Sequence, residues 1–549
     1  MKIFTTLLLA TLFLSACGGS DTIENKEDKN APLPPPKVEE SQKAKQNHLY
    51  QPPVIMEEYD SFYEYKAYGM NEAPRERLNT EEYDKIDENE FLDVLSNPQS
   101  TFSIDVDGAS YSNARRFISN GEMPPIDAVR VEEFINYFTY DYENQSSEHP
   151  FSIHTEVSNC PWNPASKLLH IGLQGKRIAT ENLPNSNLVF LLDVSGSMNS
   201  PSKLPLLKSS FKLLLDNLTK KDRIAIVVYA GAAGLVLPST SCSNKEEILE
   251  ALNKLESGGS TAGGAGIELA YKIAKENFIS EGNNRIILAT DGDFNVGTSS
   301  NSELERLVEE KRKTGVYLSV LGFGSGNYKD SKMEKLADQG NGNYYYIDSM
   351  FEAKKVLVNE MGGTLLTIAK DVKIQIEFNP AKVSQYRLIG YENRALANKD
   401  FNDDKKDAGE LGSGHSVTAL YEIIPANPDK SGKKNMKYKY ITTKISDEAY
   451  SIPELGAVRF RYKNPSDSTS NLIEQAILDS SIEFEKTSND FRFAASVAEF
   501  ALLLRDSPFK YEANFEQVLS IAKDAKGEDK ESYRSDFIKL VEITKAIGK

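Results

Sequence analysis

The chain has 549 residues, a length for which about three or four domains are expected. Its 64 basic and 81 acidic residues give a formal net charge of −17, which disfavours nucleic-acid binding because such proteins usually present a basic surface. Hydrophobic residues make up 40% of the chain and charged residues 26%, values that exclude wholesale disorder and a collagen-like fibre. Three cysteines exclude a disulfide-rich scaffold, and a single tryptophan excludes a sugar-binding platform rich in tryptophan.

The N-terminus has the pattern of a secretory signal peptide, because Lys2 is followed by an apolar stretch at residues 3–14 that is too short for a membrane anchor. The stretch ends in Leu14-Ser15-Ala16-Cys17, which resembles a bacterial lipobox. This resemblance implies that residues 1–16 are removed. It also implies that Cys17 carries a lipid on its sulfur and a fatty acyl chain, such as palmitate, on its new amino group. Cleavage as a plain signal peptide, with Cys17 incidental, is the alternative.

The same resemblance bears on localisation. In a diderm bacterium, Gly18 after the lipidated cysteine favours the outer membrane over the inner one, with the periplasmic and surface faces both left open. Residues 17–77 are predicted to form a lipidated, disordered linker, because their glycine, proline and charged residues cannot build a core. Beyond residue 16 the sequence has no run of about 18 apolar residues, so no transmembrane helix is expected.

Residues 184–368 are predicted to form a doubly wound, Rossmann-like α/β domain. Short apolar runs typical of buried parallel strands alternate here with segments of helical periodicity. The strand patterns lie at residues 188–192, 224–229, 286–289, 316–321 and 344–347. The helical patterns lie at residues 204–218, 248–255, 266–278 and 351–361.

Side chains that can bind a metal follow two of these strands. Asp193, Ser195 and Ser197 follow the first strand and Asp291 follows the third, while Thr261 lies in a glycine-rich loop between them. In an open doubly wound sheet, the loops at the carboxyl ends of the strands meet at one edge, where such folds bind ligands. Two carboxylates and three hydroxyls offer only oxygen atoms, which suits a hard divalent cation and Mg²⁺ in particular.

These five residues, in this order and with gaps of about 65 and 30 residues, resemble the metal-ion-dependent adhesion site (MIDAS) of von Willebrand factor type A (VWA) domains. The resemblance implies that Ser195 and Ser197 bind the metal directly and that Thr261 does so directly or through water. Asp193 and Asp291 would act largely through water or hydroxyl contacts. One coordination position is then left for an acidic residue of a partner protein. Mg²⁺ is the expected ion, with Mn²⁺ or Ca²⁺ as alternatives.

A purely structural interpretation explains only part of this set. Helix capping or a turn would account for Ser195 or Thr261 taken alone. It does not account for all five residues in one order and one strand–loop–helix context.

The resemblance extends over residues 78–549 to a bacterial family of VWA lipoproteins whose activity is not settled. Similar motifs lie at residues 79–83, 101–107, 130–134, 160–163, 289–297, 491–495 and 502–507. The resulting organisation is an N-terminal VWA-associated α+β module (78–183), the VWA domain (184–368), a β-rich module (369–480) and a C-terminal helical segment (481–549).

Strand patterns occur on both sides of the VWA domain, at residues 151–157, 372–378, 417–424 and 457–462. We predict that strands of the two flanks pair into one β-sandwich, into which the VWA domain is inserted. Inter-alpha-trypsin inhibitor heavy chains, which also have β-rich flanks, resemble this arrangement. Beyond residue 482 the chain turns helical, with an apolar stripe at Phe493, Val497, Phe500, Ala501 and Leu504.

Other motifs are weaker signals of catalysis. Asp105 and Asp107 lie in a DVDG segment that resembles the nucleophile motif of haloacid-dehalogenase phosphatases, but Ala109 departs from that pattern. A structural turn or an accessory cation site is therefore favoured there. The five histidines have no metal-ligand or general-base spacing. Cys160 and Cys242 would form a disulfide in an oxidising envelope or remain free thiols.

Together these patterns predict a lipid-anchored envelope protein that binds an unidentified protein through a divalent cation, and not an enzyme. A metal-assisted envelope hydrolase is one alternative, and it requires a base or nucleophile beside the metal. A metal-independent structural scaffold is the other, and its interactions would be insensitive to EDTA.

Overall fold

The computed structural model describes residues 80–143, 148–259, 263–292, 300–427, 444–480 and 482–548, all within one compact unit, Arg75–Lys549. In these ranges no helix has both the length and the apolar character needed to cross a membrane. The predicted signal peptide, Cys17, the linker and Thr261 lie outside the described residues.

The described residues form sixteen strands and thirteen α-helices. The strands are β1 (Leu92–Asp93), β2 (Gln99–Ser103), β3 (Phe151–Asn159), β4 (Lys167–Gly175), β5 (Ser186–Asp193), β6 (Arg223–Tyr229), β7 (Ala233–Ser241), β8 (Asn283–Thr290), β9 (Tyr317–Phe323), β10 (Tyr344–Ile347), β11 (Thr367–Phe378), β12 (Val383–Ile389), β13 (Gly409–Gly412), β14 (Ser416–Pro425), β15 (Glu454–Lys463) and β16 (Asn471–Leu478). The α-helices are α1 (Ala109–Ser119), α2 (Val131–Asn136), α3 (Leu204–Asn217), α4 (Lys245–Asn253), α5 (Gly263–Glu276), α6 (Asn301–Arg312), α7 (Asp330–Gln339), α8 (Met350–Lys354), α9 (Met361–Leu365), α10 (Asp447–Ser451), α11 (Asn489–Leu504), α12 (Phe515–Asp524) and α13 (Tyr533–Ile547). A π-helix, Lys355–Asn359, lies between α8 and α9.

The central sheet confirms the predicted doubly wound α/β domain. Its strand order is β10-β9-β8-β5-β6-β7, and β5 pairs in parallel with both β6 and β8. Every residue of β5 and β8 is buried, as expected for central strands that are covered on both faces.

Helices cover the two faces of this sheet with separate apolar cores. On one face, Phe190 of β5 packs with Phe211 of α3. On the other, Leu191 packs with Ile267 of α5 and Leu336 of α7. The alternation of side chains along one strand therefore supplies both cores.

One edge strand of this sheet was not predicted from the sequence. β7 pairs antiparallel with β6, and its Leu235 and Val236 are exposed. Because an edge strand is covered on fewer sides, β7 lacks the continuous apolar run of its neighbours. It also contains Gly234 and Pro238, residues that are unfavourable in strand interiors.

The two flanks form shared sheets, which confirms the predicted β-sandwich. β4, before the VWA domain, pairs antiparallel with β14 beyond it. β2 pairs in the same way with β11. The sheet order β1-β12-β14-β4-β3 faces a second sheet, β13-β11-β15-β16, to which β2 is added. Residues of both sheets, among them Phe102, Leu169 and Ile374, form one apolar core.

The C-terminal helices share a core with helices from the start of the folded region. Phe134 of α2 lies 6.3 Å, between ring centroids, from Phe500 of α11. Phe500 in turn lies 5.5 Å from Phe537 of α13. Tyr111 of α1 belongs to the same core. The two ends of the described chain therefore pack together.

Asp105 and Asp107 have structural roles at the junction between the flanks and the VWA domain. Asp107 Oδ1 accepts a hydrogen bond from the backbone N–H of Tyr344 in β10 (2.8 Å). Arg394 Nε donates to Asp105 Oδ2 (3.0 Å), and Arg394 Nη2 donates to Glu334 Oε1 of α7 (3.2 Å). These contacts agree with the structural interpretation of the DVDG segment.

Glu499 is a buried carboxyl group in α11. Its Oε1 accepts a hydrogen bond from the backbone N–H of Asn514 (3.2 Å), and its Oε2 has no hydrogen-bond partner among the described residues. Burial raises the pKa of Glu499 from 4.5 to about 8, although the hydrogen bond from Asn514 acts in the opposite direction.

Replacing Glu499 by glutamine is expected to reduce the loss of stability at alkaline pH. Because the folded-state pKa is raised, the contribution of this carboxyl group is fully present below about pH 4.5. It is lost as the pH rises through about 8. Urea unfolding at pH 6 and pH 9 should show a smaller loss in Glu499→Gln than in the wild type, by on the order of 1 kcal/mol. Glu474→Gln, at an exposed position of β16, is the control, and equal losses in all three proteins would contradict the expectation.

Candidate metal centre

The carboxyl ends of β5 and β8 bring together the two aspartates predicted for the metal site. Asp193 is the last residue of β5, and Asp291 directly follows β8. The two strands are parallel neighbours in register, with Leu192 opposite Ala289. Both aspartates are fully buried, so their carboxylates lie inside the protein at this edge of the sheet.

Asp193 fixes the loop that carries the two serines. Its Oδ1 accepts a hydrogen bond from the backbone N–H of Ser195 (2.8 Å). Its Oδ2 accepts hydrogen bonds from Tyr229 Oη (3.3 Å) and Thr290 Oγ1 (3.2 Å). Burial raises the pKa of Asp193 to about 6, and the negative charge of Asp291 adds to this rise, whereas hydrogen bonds from Ser195 and Thr290 oppose it. A bound cation would favour the ionised carboxylate.

The hydroxyls of Ser195 and Ser197 lie side by side at the start of a short 3₁₀ helix, Gly196–Asn199. Their Oγ atoms are 3.0 Å apart. Ser195 is buried, whereas Ser197 is exposed. The pair therefore reaches from the buried aspartates to the surface of the domain.

A glycine-rich loop is held against these serines by backbone hydrogen bonds. Gly196 N donates to Gly259 O (3.1 Å), and Gly258 N donates to Val194 O (2.7 Å). Gly259 has φ +81°, and a Cβ there would lie 3.3 Å from the backbone nitrogen of Gly231, so glycine suits this close approach. Thr261, two residues further on, lies outside the described residues. The part of its loop that is described reaches the serine loop.

Asp291 is paired with Lys203, a residue that the sequence analysis did not identify. Lys203 Nζ donates to Asp291 Oδ2 (2.8 Å) and to Asn327 Oδ1 (2.9 Å). Burial acts to raise the pKa of Asp291, but the positive charge of Lys203 and hydrogen bonds from Lys203, Ser197 and Asn327 outweigh it and lower the pKa. Asp291 is thus held ionised. A single lysine just before a predicted helix belongs to no distinctive motif, so the sequence did not indicate this role for Lys203.

The donor set fits a hard divalent cation. Two buried carboxylates and two adjacent hydroxyls present oxygen atoms only, the ligands that Mg²⁺, Mn²⁺ and Ca²⁺ prefer. The described ranges contain no group of three or more histidine, cysteine, aspartate or glutamate side chains that could hold a metal, so a metal at this site would depend on the serine hydroxyls as well as the two aspartates. The structure brings together Asp193, Ser195, Ser197 and Asp291, and their role as metal ligands stays a prediction.

The two described cysteines are free thiols. Cys160 and Cys242 are both buried and unbonded, and they belong to different apolar cores. The disulfide alternative is therefore wrong for this structure. Burial raises the pKa of both thiols, that of Cys242 to about 12, so both are inert at neutral pH.

The doubly wound sheet, with Asp-x-Ser-x-Ser after β5 and an aspartate after β8, defines a VWA-domain protein. The model of the von Willebrand factor type A domain matches residues 187–360. A model described as von Willebrand factor matches residues 77–170, and one described as uncharacterized protein YfbK, C-terminal, matches residues 363–547. VWA domains in general mediate protein–protein interactions and commonly bind a divalent cation at the MIDAS.

The chain belongs to the family of the Escherichia coli (strain K12) protein described as uncharacterized protein YfbK. The two sequences are 44% identical over 475 residues, which are 85% of this chain and 82% of the relative. This likeness spans the VWA domain together with its flanks, as the motifs outside the metal site predicted.

Two solved structures illustrate more distant likeness. The von Willebrand factor type A protein from Catenulispora acidiphila is 17% identical with a TM-score of 0.40, covering 73% of this chain and 91% of its own. Proximal thread matrix protein 1 from the mussel byssus, in a structure with a zinc-occupied MIDAS motif, is 26% identical with a TM-score of 0.27. That match covers 32% of this chain and 45% of the mussel chain, and the zinc is an observation on the mussel protein.

Proposed function

We propose that this protein is a lipid-anchored component of the cell envelope that binds a partner protein through a divalent cation on its VWA domain. The observation that carries the proposal is the oxygen-only set formed by Asp193, Ser195, Ser197 and Asp291 at one sheet edge. Mg²⁺ is the proposed ion, with Mn²⁺ or Ca²⁺ as alternatives.

Each residue of the set has a proposed role. The hydroxyls of Ser195 and Ser197 would hold the metal directly, and Thr261 would add a direct or water-mediated contact. Asp193 and Asp291 would supply the negative charge through water or hydroxyl contacts. The metal, when bound, supplies a Lewis-acid position for a carboxylate of the partner.

The surface beside the serines has room for a partner side chain. A cavity of about 430 Å³ is lined by residues that follow Ser197, including Met198, Leu204 and Pro205, and by Leu255 and its neighbours in the segment after α4. Met198, one of the lining residues, directly follows Ser197, which is exposed. An acidic residue at the metal, with an apolar neighbour in this cavity, is the recognition element that we propose.

Binding rather than catalysis is proposed because the groups around the aspartates are used structurally. The described side chains hydrogen-bonded to Asp193 and Asp291 include Tyr229, Thr290 and Lys203. Burial and the charge of Asp193 raise the pKa of Tyr229 well above its ordinary value, so its hydroxyl stays protonated and is not available as a general base. A hydrolase would instead need an activated nucleophile beside the metal. Measured turnover of a phosphate ester or of peptidoglycan would favour the hydrolase alternative.

Anchoring through Cys17 and an outer-membrane location are part of the same proposal, supported by the lipobox-like segment Leu14-Ser15-Ala16-Cys17. A diacyl or triacyl anchor would hold the protein stably at the membrane. Cys17→Ser should therefore move the protein from the membrane fraction to the soluble fraction of disrupted cells. An unchanged distribution would reject the lipid anchor.

Chemical crosslinking in intact envelopes, followed by affinity purification, tests the partner-binding proposal. We expect a crosslinked partner from wild-type cells that is lost on treatment with EDTA and restored by Mg²⁺. Ser195→Ala should lose the partner even in Mg²⁺. A partner that ignores both EDTA and this substitution would favour the metal-independent scaffold.

A further inference from the structure

Lys203 occupies a position that the fold builds for it, immediately beside the predicted metal set. The side chain is only 8% exposed, and its ammonium group is held between Asp291 Oδ2 (2.8 Å) and Asn327 Oδ1 (2.9 Å). Its stem runs over Gly324, which has φ +78° and where a Cβ would collide with the Lys203 methylenes. A lysine so enclosed cannot move its charge away from the site without rearranging the loop at Gly324.

The charge of Lys203 changes the electrostatic balance of the loaded site. The carboxylates of Asp193 and Asp291 would together neutralise one divalent cation. The ammonium of Lys203 then leaves this group of charges with a net positive charge in a largely buried environment. Charge interactions are stronger there than in bulk water, and a site of one sign attracts ligands of the opposite sign.

We infer that Lys203 is a specificity-determining residue that makes the metal-loaded site cationic and so selects an anionic carboxylate ligand over a neutral one. This inference rests on the proposed function, since it concerns the ligand of the same metal site. The positive charge of Lys203 weakens binding of the metal through repulsion and strengthens binding of the incoming carboxylate through attraction. The two affinities therefore depend on this one charge in opposite directions.

A purely structural role for Lys203 predicts a different result. If the side chain only tied α3 to the loops at Gly324 and Asn327, its replacement would loosen the site. Metal and carboxylate would then both bind more weakly. The opposite signs of the two changes are what separate the electrostatic role from the structural one.

The test uses the full chain in detergent, with Mn²⁺ as the metal probe and acetate as the carboxylate probe. Calorimetry measures Mn²⁺ affinity, and the water-proton relaxation of bound Mn²⁺ reports displacement of its water by acetate. Lys203→Met keeps the stem and removes the charge. We expect it to bind Mn²⁺ about tenfold more tightly and acetate about tenfold more weakly than the wild type.

Two further variants keep the test decisive. Lys203→Gln removes the charge but can still hydrogen-bond, so it should show the same opposite changes if Lys203→Met does not fold. Asn327→Ala removes the other partner of the ammonium and keeps the charge, so the ratio of acetate to Mn²⁺ affinity should stay within about threefold of the wild type.

The outcomes separate this inference from the proposed function. Unchanged affinities in both neutral variants, or affinities that fall together, would overturn the role of Lys203 and leave the metal site intact. A wild-type protein that does not bind Mn²⁺, or whose bound Mn²⁺ ignores acetate, would overturn the proposed function and this inference with it.

Discussion

Replacing Ser195 by alanine is expected to abolish divalent-cation binding, with an affinity loss of about a hundredfold or more, while the fold is retained. Ser195 is buried and presents its hydroxyl 3.0 Å from that of Ser197, so alanine removes a proposed direct ligand without changing the backbone. Asp193→Ala should have the same effect on the metal. It also removes the acceptor for Ser195 N, Tyr229 Oη and Thr290 Oγ1.

Isothermal titration with Mg²⁺ and Mn²⁺ measures this loss, and circular dichroism checks the fold. Ser200→Ala is the matched control, since Ser200 lies in the same loop but its hydroxyl interacts with that of Ser202 (3.2 Å). The control should bind metal with wild-type affinity. If the Ser195→Ala protein titrates like the wild type, the metal does not bind at this loop.

Replacing Arg394 by methionine is expected to lower the free energy of unfolding by about 3–5 kcal/mol, the usual cost of removing one partner from a buried ion pair. Arg394 lies 3.0 Å from Asp105 Oδ2 and 3.2 Å from Glu334 Oε1, and also pairs with Asp107 and Asp338. Its side chain is 11% exposed. Without its charge, these carboxylates would face one another in a poorly solvated junction.

Denaturant unfolding of Arg394→Met against the wild type measures this effect. The control is Arg459→Met, because Arg459 also pairs with two carboxylates, those of Glu377 and Glu474, but is more exposed. Exposed ion pairs contribute about 0–1 kcal/mol, so this variant should stay close to wild-type stability. Equal effects of the two substitutions would show that the junction at Arg394 is not a buried electrostatic centre.

The architecture of the VWA domain could be predicted because its central strands are covered on both faces. Burial on both sides demands an unbroken apolar run, and residues 188–192 and 286–289 display one. β7 has no such run, because an edge strand tolerates exposed and polar residues. Its presence depends on pairing with β6, which is a tertiary property.

The sandwich could be predicted as a class but not in its pairings. Alternation at residues 372–378 shows which side chains share a face. It does not show that Ile374 lies opposite Phe102 on one side and Phe460 on the other. Those registers depend on strands more than 80 residues away on one side and more than 250 on the other.

The placement of the four described residues of the predicted metal set could be predicted because parallel strands bring their carboxyl ends to one edge. The order Asp193, Ser195, Ser197 and Asp291 was enough to place these residues together. Lys203 and Asn327 could not be found this way. Their contacts with Asp291 and with each other depend on how the start of α3 and the loop after β9 pack, and neither residue type is distinctive in those positions.

Diffraction from crystals soaked in Mn²⁺, recorded near the manganese absorption edge, is the most direct test of whether this sheet edge holds a metal. We expect one strong anomalous peak in the VWA domain, in contact with the hydroxyl oxygens of Ser195 and Ser197 and next to the carboxylates of Asp193 and Asp291. A map without a peak there, or with its strongest peak at another part of the chain, would contradict the proposed metal site and the partner-binding role built on it.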